Sequence, residues 1–82
     1  MPLRRPWRSL ERETVRTVPD RYGMYELADE AGEIVAIDHG PLRDALKEAL
    51  AYGDAAKVRY EITPNRRAAE RLVADHRTRH EG

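Results

Sequence analysis

Residues 57–62 alternate strictly, with Val58, Tyr60 and Ile62 set against Lys57, Arg59 and Glu61. That period of two predicts a strand with one buried face. Residues 22–27 and 33–38 are also strand-like, and the acids and glycine of Asp29-Glu30-Ala31-Gly32 between them suit a turn. Together they predict a β-hairpin with an acidic tip. The pattern then changes period. Leu42, Ala45, Leu46, Ala49 and Leu50 recur at i, i+3, i+4, i+7 and i+8, one face of a helix that begins at Pro41 and ends at Gly53. Arg43, Asp44, Lys47 and Glu48 take its wet side. Thr63-Pro64-Asn65 opens a last helix, whose apolar stripe Ala68, Ala69, Leu72, Val73 and His76 continues to about Arg79. Near the start, Ser9 can cap a short helix through Arg16, with Trp7, Leu10, Thr14 and Val18 roughly on one face. Val18-Pro19-Asp20 stops it.

The predicted order is therefore α-β-β-α-β-α, an α+β fold with a three-stranded sheet. If the second and third strands flank the first, they run parallel and are joined by a crossover through the helix, expected right-handed. Residues 1–8, with two prolines and three arginines, read as a flexible basic arm before a single domain over 9–82. The chain shows no internal repeat.

Eighty-two residues make one small domain, near the lower limit for a self-sufficient core. With no cysteine, disulfides, thiolate metal sites and thiol nucleophiles are excluded. No apolar run approaches the roughly 18–20 residues of a membrane span, and the N-terminal stretch lacks a signal-peptide pattern. A cytoplasmic protein with no membrane partner is the expectation. Fifteen basic and 15 acidic side chains give zero formal charge, so a globally basic nucleic-acid binder is not indicated. The distribution is uneven: five Arg face three acids over residues 1–20 and again over 64–82, while residues 21–40 hold one Arg and five acids. The 13 Arg to 2 Lys suit phosphate-binding guanidinium forks, or reflect coding bias.

The order of two strands, a helix, a strand and a helix, with Gly23-Met24-Tyr25 on the first strand and Leu42-Arg43-Asp44-Ala45-Leu46 opening the helix, resembles the GIY-YIG nuclease domain over residues 18–79. That family includes the incision nuclease of nucleotide excision repair and several homing endonucleases. The resemblance implies a strand tyrosine, a helix arginine facing the scissile phosphate, and a carboxylate holding one divalent metal. Tyr25 matches the first motif. On the second strand Ala36-Ile37-Asp38 stands where the family has Tyr-Ile-Gly, so a hydroxyl is lost and a carboxylate replaces a glycine. One helix register places Ala45 at the arginine position and a slipped one offers Arg43. On the last helix Asp75 lies nearest the metal carboxylate, with Glu70 the slipped alternative.

Phosphodiester hydrolysis needs a positioned water or base, a cation on the developing charge and a metal on the phosphate. Loss of one such electrostatic group costs on the order of 10²–10³ in rate. The resemblance is therefore to a degenerate domain, expected to be non-catalytic. Its favoured role is a nucleic-acid-associated binding module using Arg4, Arg5, Trp7, Arg8, Arg66, Arg67 and Arg71, with DNA or RNA as partner. Residual nuclease activity through Tyr25 and Arg43, with Mg²⁺ or Mn²⁺ on Asp75 and Glu70, is one alternative. A protein-interaction module or homodimer, pairing through free sheet edges, is another. His76 and His80 have i, i+4 metal-pair spacing, although His76 on an apolar stripe fits a core-edge position better.

Overall fold

The computed structural model describes residues 6–81, the side chains of His80 and Glu81 apart. The elements are β1 (Arg8–Ser9), α1 (Arg12–Thr17), β2 (Tyr22–Ala28), β3 (Ile34–Pro41), α2 (Leu42–Tyr52), β4 (Lys57–Ile62) and α3 (Arg66–Glu81). The strands form one four-stranded sheet in the order β1-β4-β2-β3. Every neighbouring pair is antiparallel.

The sheet corrects the expected three strands and their order. Arg8 and Ser9 pair with Val58 and Lys57 as an added edge strand, so the first element among the described residues is a strand and not a helix. The boundary expected at residue 8 between arm and domain thus falls inside β1. Helix α1 starts later than Ser9, at Arg12, and its N-cap position is held by Glu11 with no side-chain cap bond. Ser9 is unavailable as a cap because its backbone already belongs to the ladder. The conditional crossover is present: β3 and β4 both run antiparallel to the intervening β2, so α2 connects parallel strands.

Alternation along β2 divides the core. Tyr25 and Leu27 face one side, where Leu27 packs with Val15, Val18, Leu42, Leu46 and Val58 beneath α1 and α2. Met24 and Glu26 face the other, where Met24 packs with Ile37 and Val73 beneath α3. The sheet is therefore covered on both faces, each strand giving alternate residues to each layer. In α2 the stripe buries Leu42 and Leu46 fully, but Leu50 remains 38% exposed. Ile62, on the apolar face of β4, is also exposed.

Two short-range features hold the hairpin and its exit. Gly32 has φ +89, and the turn closes through Gly32 N–H to the Asp29 carbonyl and Glu33 N–H to Asp29 Oδ1. At the opposite end the Leu42 N–H donates to the Arg21 carbonyl at 2.9 Å, carrying the ladder into the first turn of α2. Asn65, not Thr63, caps α3: its Oδ1 accepts from the Ala68 N–H at 2.8 Å. Pro64 accordingly precedes the helix rather than opening it.

Candidate functional site

Helices α1 and α2 pack side by side over the sheet, and the groove between them is bordered by Arg12, Arg16, Arg43 and Lys47. Each helix supplies two cations four residues apart, the spacing of neighbours on one helical face. Val15, Leu50 and Ala51 form the apolar floor, and the cavity encloses about 570 Å³. No carboxylate lines it. Among the described residues, none of these four cations takes part in an ion pair. Arg43 is the best fixed: its Nε donates to the Val18 carbonyl at 3.1 Å, which ties α2 to the end of α1 and leaves the terminal nitrogens for the groove.

The other flank of α2 is its electrostatic opposite. There Asp44, Glu48, Tyr25, His39 and Tyr52 line a shallow depression over β3. Burial pushes the Tyr25 phenol above its ordinary pKa, and the negative charges of Asp38 and Glu48 push it further. The hydroxyl is thus held protonated, the reverse of what a general base requires.

The nuclease set implied by resemblance does not converge. Tyr25 faces the α1–α2 side of the sheet, whereas Glu70 and Asp75 stand on α3 across the sheet. Arg43 shares the Tyr25 side but lines the opposite flank of α2. Glu70 and Asp75 are exposed and paired with Arg66 at 2.9 Å and Arg79 at 3.4 Å within their own helix. Among the described residues no group of three His, Asp or Glu can hold a metal. Tyr25 and Arg43 are therefore not brought together with Glu70 and Asp75.

The arginines expected to meet nucleic acid are likewise dispersed. Arg4 and Arg5 lie outside the described residues. Trp7 is half-buried, with the Arg59 guanidinium 3.9 Å from its ring centre, so one ring face already carries a cation. Arg8 is exposed on β1, while Arg66, Arg67 and Arg71 project from α3 on the far side of the sheet from the groove. Of these three, Arg66 is matched to Glu70.

Beneath Trp7 lies a polar cluster inside the α3 layer. Glu26 is fully buried; Arg59, directly opposite it on β4, donates from Nε to its Oε1 at 2.7 Å. His76 Nδ1 lies 3.3 Å from its Oε2. His76 is thus a core histidine, as its place on the stripe predicts, and the side chain of His80 lies outside the described residues. Among the described residues no buried side-chain nitrogen or oxygen lacks a partner.

Sequence reasoning missed Arg12, Arg16 and Lys47. Their i, i+4 spacing is visible, but that α1 packs against α2 is a tertiary fact. Glu26 and Arg59 were also hidden, since each reads singly as a solvent-facing charge on an alternating strand.

A known family's sequence profile matches residues 1–79, nearly the whole chain. The chain belongs to that family, the domain of unknown function DUF7508. No curated protein and no solved structure matches it. The DUF7508 assignment carries no activity. Among the described residues, no helix of this DUF7508 chain is long and apolar enough to cross a membrane.

Proposed function

We propose that this DUF7508 chain is a non-catalytic, nucleic-acid-associated binding module that meets the phosphate backbone through the α1–α2 groove. The carrying observation is the state of its cations. Arg12, Arg16, Arg43 and Lys47 border one concavity without an ion pair among the described residues, whereas three of the five arginines of α3, Arg66, Arg77 and Arg79, each face a carboxylate. Unpaired guanidiniums present donor forks suited to phosphate oxygens. The likeness of Gly23-Met24-Tyr25 and of the hairpin-helix-strand-helix order to the GIY-YIG domain favours nucleic acid as the partner class. The separation of Tyr25 from Glu70 and Asp75 favours binding over cleavage.

The test is fluorescence anisotropy with labelled DNA and RNA across a salt series. Replacing Arg12 and Arg16 together by Gln should weaken binding at least tenfold, and replacing Arg66 and Arg67 should change it little. No affinity for any nucleic acid at low salt would sink the reading. Incubation with branched and nicked DNA in magnesium or manganese, alongside Tyr25→Phe, tests the catalytic alternative: cleavage abolished by that substitution would restore the enzyme.

A further inference from the structure

Resting on that reading of the groove, we propose that its ligand is single-stranded nucleic acid, with one unstacked base on the floor between Val15 and Leu50 and flanking phosphates on the two basic banks.

The charge pattern limits the groove to one backbone. Arg43 and Lys47 occupy the groove flank of α2, but Asp44 and Glu48 occupy the other flank. A duplex laid against α2 would bring its second backbone towards those carboxylates, where like charges repel. On α1, Glu11 and Glu13 are the exposed sequence neighbours of Arg12 and limit the cationic strip in the same way. The strip is also short: α1 has six residues, a rise of about 9 Å.

The floor adds a second restriction. Leu50 is a large aliphatic side chain left 38% exposed inside a ring of cations. A phosphate gains nothing from that surface, and a duplex presents only base edges in its grooves, its base faces being stacked. An unstacked base can lay its face on the aliphatic floor while its neighbouring phosphates reach the banks, the arrangement by which single strands combine apolar and ionic contact. The volume of about 570 Å³ falls within the range of small-ligand sites. The lining contains no aromatic ring, so the base contact is modest and tolerant of base identity.

Four phosphate contacts on a single strand give a slope of log Kobs against log salt of about −2.8, or roughly fiftyfold weaker binding between about 50 and 200 mM salt. The experiment compares labelled oligothymidylate, an abasic strand of equal length and a duplex of equal length, each titrated with the full chain by anisotropy. Oligothymidylate should bind at least tenfold tighter than duplex and several-fold tighter than the abasic strand. Leu50→Ser should lower oligothymidylate affinity to about that of the abasic strand, while Arg16→Gln should weaken every arm. Circular dichroism checks that both variants fold. Duplex binding equal to single-strand binding overturns this inference and leaves the broader reading standing. Absence of binding in all arms overturns both. Single-strand binding that survives replacement of Arg12, Arg16 and Lys47, or displacement by an acidic amphipathic peptide at lower concentration than by oligothymidylate, assigns the groove to another ligand.

Discussion

Arg59 Nε lies 2.7 Å from Oε1 of Glu26, directly across the β2–β4 ladder, in a layer where the carboxylate has no solvent exposure. A buried charge of this kind is tolerated only with partners in place, and removing one partner strands the other. Glu26→Ala is therefore expected to cost about 3–5 kcal/mol. An 82-residue domain has a total stability of only about 4–12 kcal/mol at typical per-residue values. Urea denaturation of Glu26→Leu, Arg59→Leu and the double variant should show coupling above about 1 kcal/mol, because the double variant leaves neither charge stranded. Strictly additive losses would refute the pair.

Trp7 extends the same column outward, its ring covering the Arg59 guanidinium at 3.9 Å. As the chain's one tryptophan, it reports on this contact by its own fluorescence. Arg59→Gln should shift Trp7 emission to the red, as the ring loses its cover and gains water. Trp7→Ala should cost about 1–2 kcal/mol from the lost cation–π contact and ring packing. An emission spectrum indifferent to the residue at position 59 would mean that the two are not in contact in solution.

Gly23 has a packing reason for being glycine. A Cβ there would run into the Glu61 carbonyl oxygen on β4 and lie 2.8 Å from Leu42 Cδ1. Gly23→Ala should destabilise by about 1–3 kcal/mol. Adding Leu42→Ala should not restore stability, since the backbone oxygen remains in the way. Gly32 behaves differently: its φ of +89 disfavours a side chain, but nothing lies within 4 Å of the added Cβ. There Asn should be tolerated better than Ala. Thermal melts of the four variants separate the two mechanisms.

Tyr25 gives a pH signature. Its phenol is raised above the ordinary value, near 10, first by burial and then by Asp38 and Glu48. Between the unfolded and the folded pKa the native state holds a proton that the unfolded chain has lost. Stability is thus fully present below pH 10 or so and falls as pH rises through that window. Tyr25→Phe should flatten the fall. Wild-type tyrosinate absorbance should show one phenol titrating later than it does in urea, and coincident titration of all four tyrosines would contradict the shift.

The sequence's periodicities mark out much of this architecture. The alternation over 57–62 coincides with β4, and the stripe on the last helix buries Ala69, Val73 and His76. These are local signals that one buried face imposes. Strand β1 was illegible because two residues carry no period, and its pairing depends on Val58 and Lys57 some fifty positions away. The ends of the hairpin strands also moved, β3 running on to Pro41 where composition suggested a stop near Asp38. For the site, Arg43 was singled out for a role tied to Tyr25, yet it faces the other flank of its helix. Which flank a helical cation serves depends on what packs beside it.

The ladder's phase has one more consequence. With Leu42 N–H bonded to the Arg21 carbonyl, the pair Glu26–Ile37 is a non-bonded one, so Ile37 turns its carbonyl to the open side of β3. Arg77 reaches over from α3 and donates to that oxygen from both Nε and Nη2, at 3.0 and 2.7 Å. At Pro41 the same rim has no N–H to offer. An incoming strand would find one acceptor occupied and one donor absent, a safeguard against runaway sheet growth and aggregation in a domain whose other border strand is only two residues long.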